Sequence, residues 1–272
     1  MIRFCIVTVT YNAEDCLERT IRSVVGQTYP HVDYVLVDGG SRDGTLSIIE
    51  RYSSSLTRWI SEPDKGIYDG MNKGIAIASR LVKADGQERF VLMLNADDTL
   101  YRETTLAEVA SFLEQQPQLP DVFCGAWMIH PEHGRYLQCP GDLTKLPGRF
   151  VLNHQATFVK ASVLAKNPFE LKYKIAGDFR QLSSLYLQGY TFLTSKDIIV
   201  SDMIINRGAT NDNWKQGVEE GFEVVKLNGC YRRGAKEWLL LRKQVVRLIK
   251  RALPRKASDA FFRWLAVHYK AM

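Results

Sequence analysis

The hydrophobic patterns of residues 1–100 predict an α/β fold built on a mostly parallel sheet flanked by helices. Two observations carry this expectation. Continuous apolar, β-branched runs recur, as strands buried on both faces require. Segments with apolar residues at helical spacing separate these runs, which is the βαβ pattern with right-handed crossovers.

The elements follow in order. Phe4–Val9 reads as the first buried strand. Ala13–Gly26 reads as a helix, with Leu17, Ile21, Val24 and Val25 on one face, and it stops at Gly-Gln-Thr-Tyr-Pro. Tyr34–Val37 is the second strand, Asp43–Tyr52 a helix with an aspartate near its start, and Trp59–Ile60 part of a short strand. Gly66–Ser79 is helical and Phe90–Leu94 is another buried strand. Residues 120–210 are less regular. Short apolar runs at Val122–Phe123, Thr157–Val159, Phe192–Leu193 and Ile198–Val200 read as strands of a mixed sheet, with helices near 161–166 and 178–189. The last sixty residues are helical in pattern.

Composition is that of a globular chain: 272 residues, 46% hydrophobic and 24% charged. No apolar run approaches the roughly 18 residues needed to span a bilayer, and the start of the chain does not read as a secretory leader. Five cysteines without a CxxC pair make disulfide or metal roles unexpected and reduced thiols the default. Charge is unevenly placed. Residues 232–272 hold twelve Lys or Arg against Glu237 and Asp259, a net +10, which leaves −4 for residues 1–231. A basic end of this kind points to an anionic partner surface, lipid or nucleic acid.

Ligands of parallel sheets sit at the carboxyl ends of the strands, so the polar residues after each run are the candidates. Asp97-Asp98 follows a buried strand. Adjacent carboxylates there repel and are costly to desolvate unless a cation neutralises them. Oxygen ligands suit Mg²⁺ or Mn²⁺, and the competing reading is a solvated turn or helix cap. Asp38 ends the second strand ahead of Gly39-Gly40-Ser41-Arg42-Asp43-Gly44-Thr45; it could accept from a base or ribose, or belong to an ordinary βα turn. The first turn, Thr10-Tyr11-Asn12, lacks the GxGxxG of dinucleotide folds.

Taken together and in this order, VTVTYN, VDGGSRDGT, SEPDKGIYDGMNKGI and LNADD resemble the inverting family 2 glycosyltransferases of GT-A fold, close to the colanic-acid and O-antigen polysaccharide subgroup. The resemblance covers about residues 1–210. It implies a catalytic domain over 1–210, with a nucleotide-binding half (1–100) and an acceptor half (101–210), and a basic helical extension over 211–272. It implies that Thr10, Tyr11, Asn12 and Asp38 line the base and ribose, that Asp64 and Lys65 lie beside the nucleotide, that Asp97 faces the ribose and that Asp98 holds Mn²⁺ or Mg²⁺ on the diphosphate. Ile175-Ala176-Gly177-Asp178-Phe179 fits the family's acidic residue at a helix start, which makes Asp178 the base. His154-Gln155-Ala156-Thr157-Phe158 matches a subgroup signature near the acceptor or donor sugar; for His154 alone a hydrogen-bonded structural histidine is the alternative. The sequence departs from the family in two places. Ala78–Arg89 is longer than the usual turn and is expected to make a surface excursion. Asn206-Arg207-Gly208 replaces a Gly-Gly-x-Ser stretch, so that Arg207 is either a diphosphate contact or a surface arginine.

The implied activity is transfer from a nucleotide-sugar, with UDP favoured, to a lipid-linked saccharide. A sugar-phosphate nucleotidylyltransferase would need a GxGxR loop after the first strand, where this chain has Thr-Tyr-Asn. A non-catalytic nucleotide or nucleic-acid binder would not need the metal pair and base together, so no nucleic-acid partner is expected. Residues 236–253 form an amphipathic helical pattern ending at Pro254, and 258–269 add Phe261, Phe262, Trp264 and Leu265. Residues 236–269 are therefore expected on an anionic membrane surface, placing the enzyme in the cytoplasm on the inner face of the plasma membrane. The alternative is that these apolar faces pack on the catalytic domain.

Overall fold

The computed structural model describes residues 1–130, 134–204 and 213–231, with positions 234, 236 and 239. Met1–Cys230 form one compact unit and Tyr231–Met272 a second. Arg207 and nearly all of 236–269 lie outside the described residues. The first unit continues past residue 210 through a helix at Trp214–Leu227.

A single sheet runs through the first unit. In chain order its strands are β1 (Phe4–Thr10), β2 (Val32–Asp38), β3 (Arg58–Ser61), β4 (Phe90–Met93), β5 (Thr99–Leu100), β6 (Val122–His130), β7 (Tyr136–Gln138), β8 (Thr157–Lys160) and β9 (Phe192–Ile204). The spatial order is β3-β2-β1-β4-β8-β6-β9-β5, with β7 on β6. β3, β2, β1 and β4 are parallel, β8 is antiparallel to both β4 and β6, and β9 is parallel to β6. The sheet is thus mostly parallel, as expected. β1 sits between β2 and β4 and every one of its residues is buried, which is why Phe4–Val9 reads as an unbroken apolar run.

The helices are α1 (Leu17–Val25), α2 (Thr45–Arg51), α3 (Ile67–Asp85), α4 (Thr105–Glu114), α5 (Ala161–Lys166), α6 (Gly177–Leu187) and α7 (Trp214–Leu227). α3 packs on β1, β2 and α5, and α4 packs on β9. The first two helices begin later than their apolar spacing predicts, at Leu17 and Thr45. The amides of Ala13 and Glu14 are held by the Thr45 and Asp43 side chains of the neighbouring loop. The two apolar runs at 192–193 and 198–200 belong to one strand, β9, whose register against β6 shifts on either side of Ala126.

The expected surface excursion at 78–89 takes the form of a helical extension, with residues 83–88 exposed. α3 continues to Asp85 and closes on Gly86 in the left-handed region, φ 70°. The added residues lengthen the helix because Arg89 is buried and paired with Asp85 at 2.7 Å and Asp33 at 2.7 Å, which ties the helix end to the sheet. Among the described residues, no helix is long and apolar enough to cross a membrane.

Candidate active site

The strand register assembles the site. Thr10 pairs with Asp38, and Asp38 with Ser61, so the last residues of β1, β2 and β3 form one row at the carboxyl edge of the sheet. β8 runs antiparallel to β4, with Phe158 opposite Leu92. The residues before β8 therefore lie beside the residues after β4. This brings His154-Gln155 to Asn95-Ala96-Asp97-Asp98.

On the first side, the loops after β1 and β2 bind one another. Asn12 adopts φ 48°; its amide donates to Ser41 Oγ at 2.8 Å and its Oδ1 accepts from the Arg42 amide at 2.9 Å. Asp38 is fully buried. Its Oδ2 accepts from the amides of Gly40 (3.1 Å) and Ser41 (3.0 Å) and from Ser61 Oγ (2.7 Å), while Oδ1 accepts from the Ser41 hydroxyl. Its carboxylate is the anchor of this edge, and its acceptor sites are turned to the protein's own loops. Asp64 takes the amide of Gly66 at 2.9 Å and lies against Gly39, where an added Cβ would come within 2.5 Å of Asp64 Oδ2 and displace that carboxylate. Thr10 Oγ1 is buried without a protein partner, whereas Tyr11 is 60% exposed at the rim. Lys65 is exposed, and its carbonyl accepts from Lys174 Nζ at 3.1 Å.

The turn after β4 is held by α1. Thr20 Oγ1 lies 2.7 Å from the carbonyls of both Ala96 and Asp98, and the Arg19 guanidinium donates to the Asp97 carbonyl. Asp98 is 2% exposed. Burial, then the neighbouring charge of Asp97, pushes its carboxyl up to about 8, against the pull of Arg19. Burial also raises Asp97. An acidic pair that resists ionising alone is suited to a divalent cation. Among the described residues no third His, Cys, Asp or Glu completes a metal cluster. The pair fits the way Mg²⁺ and Mn²⁺ are held, by one or two carboxylates with substrate phosphates and water filling the shell.

On the second side, a 3-10 turn at His154–Ala156, capped by the Asn153 side chain on the Gln155 amide, reaches both ways. The Gln155 amide group donates to Asp98 Oδ2. His154 Nδ1 lies 2.9 Å from Asp178 Oδ2, and its Nε2 lies 3.4 Å from Asn95 Nδ2. With Asn95 donating, Nε2 is the acceptor and Nδ1–H donates to Asp178. Asp178, 9% exposed, is the second residue of α6, and its Oδ1 accepts from the Phe179 amide at 2.7 Å. Behind this pair lies an apolar floor of Val91, Met93, Val159, Leu164 and Leu182.

The described site residues thus form two groups. Asp178, His154, Gln155 and Asp98 make a connected chain, and Thr10, Asn12, Asp38 and Asp64 make the adjoining wall. The sequence reading did not single out Arg19, Thr20, Ser61, Tyr68, Asn95 or Glu220. Ser61, Tyr68 and Asn95 lie inside segments it quoted; the others carry no local signal.

The family profile "Glycosyl transferase family 2" matches residues 5–162, more than half of the chain. The chain belongs to glycosyl transferase family 2. A PGL/p-HBAD biosynthesis glycosyltransferase of Mycobacterium bovis is 32% identical over 181 residues, which cover 65% of this chain and 66% of that protein. An uncharacterized glycosyltransferase of Mycobacterium tuberculosis is 30% identical over 178 residues, 64% of each chain. The chain thus spans just under two thirds of the length of these relatives. Among solved structures, Staphylococcus aureus TarS 1–349 in complex with UDP-GlcNAc aligns with TM-score 0.62 and 20% identity, over 87% of this chain and 69% of that one. The mannosyltransferase PcManGT of Pyrobaculum calidifontis, in complex with GDP-Man and Mn²⁺, aligns with TM-score 0.62 and 18% identity, over 98% of this chain and 81% of that one. At such identity the likeness is one of fold, and the fold is GT-A.

Proposed function

We propose that this family 2 chain transfers a sugar from a nucleotide-sugar, UDP-linked, to a hydroxyl of a lipid-linked saccharide, with inversion, in surface polysaccharide biosynthesis of the colanic-acid and O-antigen type. The observation that carries this is the path Asp178–His154–Gln155–Asp98, which puts a candidate proton acceptor and a candidate phosphate-side carboxylate on either end of one turn. The solved TarS and PcManGT complexes hold UDP-GlcNAc and GDP-Man on the same fold, which supports a nucleotide-sugar donor.

In this reading the base and ribose lie along Thr10, Tyr11, Asn12 and the wall anchored by Asp38, with Asp64 and Lys65 alongside and Asp97 toward the ribose. Asp98, with Asp97, would hold Mn²⁺ or Mg²⁺, whose chemistry is to neutralise charge on a departing diphosphate. The acceptor oxygen forms its bond to the anomeric carbon as the bond to the diphosphate oxygen breaks, and the acceptor proton passes to Asp178. His154, donating from Nδ1, fixes the rotamer of Asp178, and the apolar floor keeps bulk water from it. One displacement with one base gives inversion. Arg207 is a further diphosphate contact in this reading, and residues 236–269 seat the enzyme on an anionic membrane where a lipid-linked acceptor lies.

Thermal shift against UDP-, GDP- and dTDP-sugars with Mn²⁺ tests the donor. The largest shift is expected from a UDP-sugar; no shift from any nucleotide, with no turnover, overturns the reading. Co-sedimentation with anionic but not neutral vesicles is expected of the full chain, and equal partitioning removes the membrane surface.

A further inference from the structure

Glu220, on α7, lies 44 to 46 positions from residues 174–176, yet its carboxylate closes on the turn that leads into α6. Glu220 is buried. Its Oε2 accepts from three successive amides, Lys174 at 3.0 Å, Ile175 at 2.8 Å and Ala176 at 2.9 Å. Its Oε1 accepts from Lys174 at 3.0 Å and from Gln216 Nε2 at 2.8 Å. Three consecutive backbone N–H groups turned onto one anion form a nest, here just before the first turn of α6. A carboxylate at a helix N-terminus is favoured by the helix dipole as well.

The opposite flank of the same turn is held by Tyr68 on α3. Its hydroxyl donates to the Ile175 carbonyl at 2.8 Å and accepts from the Gly177 amide at 3.0 Å. A Cβ at position 177 would lie 2.7 Å from the Tyr68 ring, so the glycine is what allows this approach. Residues 174–177 are therefore gripped from two sides, and Asp178 is the next residue.

We infer that Glu220 is a positioning residue for the transfer reaction: by holding the amides of 174–176 it sets where the Asp178 carboxylate stands relative to the acceptor hydroxyl. It touches no reacting atom. The inference rests on the reading of Asp178 as proton acceptor. A displacement of about 1 Å at a reacting group is enough to cost roughly a hundredfold in rate, and the donor wall at residues 10–12, 38–41 and 64 has no bond to Glu220.

The test uses the full chain carrying Glu220→Ala, Glu220→Asp, Glu220→Gln or Asp178→Asn. It measures UDP release from the UDP-sugar that gives the largest thermal shift, with water or an alkyl glycoside as acceptor. It also measures UDP affinity with Mn²⁺ by calorimetry and amide hydrogen exchange at 174–178. Glu220→Ala is expected to lower kcat by about 10- to 100-fold with donor KM and UDP affinity unchanged. Glu220→Asp keeps the charge but draws the carboxylate back, and is expected to lower kcat in the same direction. Glu220→Gln keeps an acceptor oxygen at full reach and is expected to restore kcat to within about threefold of the parent. Exchange at 174–178 should quicken in the alanine and aspartate variants. Should the alanine variant fail to fold, the aspartate and glutamine variants decide. Unchanged kcat and unchanged exchange in Glu220→Asp overturn the inference, as does a fall in kcat matched by equal loss of UDP affinity. Full activity of Asp178→Asn defeats the reading of the base itself. Inactive Asp178→Asn beside fully active Glu220 variants defeats only the role of Glu220.

Discussion

The wall formed by the loops after β1 and β2 is stitched by bonds between residues 29 to 32 positions apart, among them Asn12 to Ser41 and Ala13 to Thr45. On the opposite side His154 reaches Asp178 across 24 positions, but the other partners come from farther away: Gln155 reaches Asp98 across 57 positions, Glu220 reaches Ala176 across 44, and Tyr68 reaches Gly177 across 109. The first side is mainly a set of loop-to-loop bonds at a parallel sheet edge. The second is a set of clamps imposed by the antiparallel insertion of β8 and by helices that return late in the chain. Substitutions on the two sides should therefore fail differently, the first in donor affinity and the second in turnover.

The largest effect is expected where the two sides meet. Asp98→Ala should reduce transfer by about a thousandfold or more, because several kcal/mol of charge stabilisation at the leaving group are lost. Near-normal turnover with saturating Mn²⁺ would remove Asp98 from that role. Next, Tyr68→Phe leaves the Gly177 amide and the Ile175 carbonyl without their partner. It should cost about 1–3 kcal/mol of stability and lower kcat by about tenfold or more, with donor KM held. If KM rises instead, Tyr68 belongs to the donor wall and the division drawn here is misplaced.

The first side is tested by Gly39→Val, whose Cβ would collide with the Asp64 carboxylate. Donor KM is expected to rise by about tenfold with kcat at saturation little changed, a loss of binding that ground and transition state share. A fall in kcat at unchanged KM would contradict the division. The smallest effect is on stability. A carboxyl whose folded pKa lies at about 8, above its unfolded value, binds its proton more tightly when folded. Its contribution is thus fully present below the ordinary carboxylate range and is lost as pH rises toward 8. The metal-free protein should melt lower at pH 8 than at pH 5.5 from this group, and Asp98→Asn should flatten that fall and raise Tm at pH 8 by a few degrees, about 1 kcal/mol corresponding to roughly 2–4 °C. Scanning calorimetry in EDTA reads this directly; an asparagine variant that melts lower at pH 8 contradicts it.

The same contrast explains what the sequence made legible. In the parallel half, the candidate residues follow each strand immediately, so Thr10, Asp38 and Asp97-Asp98 are found by reading past an apolar run. Asp178 and His154-Gln155 were found by resemblance alone, since nothing local marks them. Arg19, Thr20 and Glu220 were not found. Their partners are backbone groups, the carbonyls of 96–98 and the amides of 174–176, and a backbone group has no letter in the sequence. The form that the surface segment 78–89 takes was not legible for a related reason. Its helix extends because Arg89 finds Asp33, on a strand it meets only after folding.

The most direct test of the central claim, that residue 178 takes the acceptor proton at the far end of the path from Asp98, is Asp178→Asn assayed in parallel for transfer and for UDP–Mn²⁺ affinity by calorimetry. The account predicts loss of transfer by about 10²- to 10⁴-fold with nucleotide affinity and melting temperature close to the parent. Undiminished transfer, or nucleotide affinity lost along with it, would contradict the account.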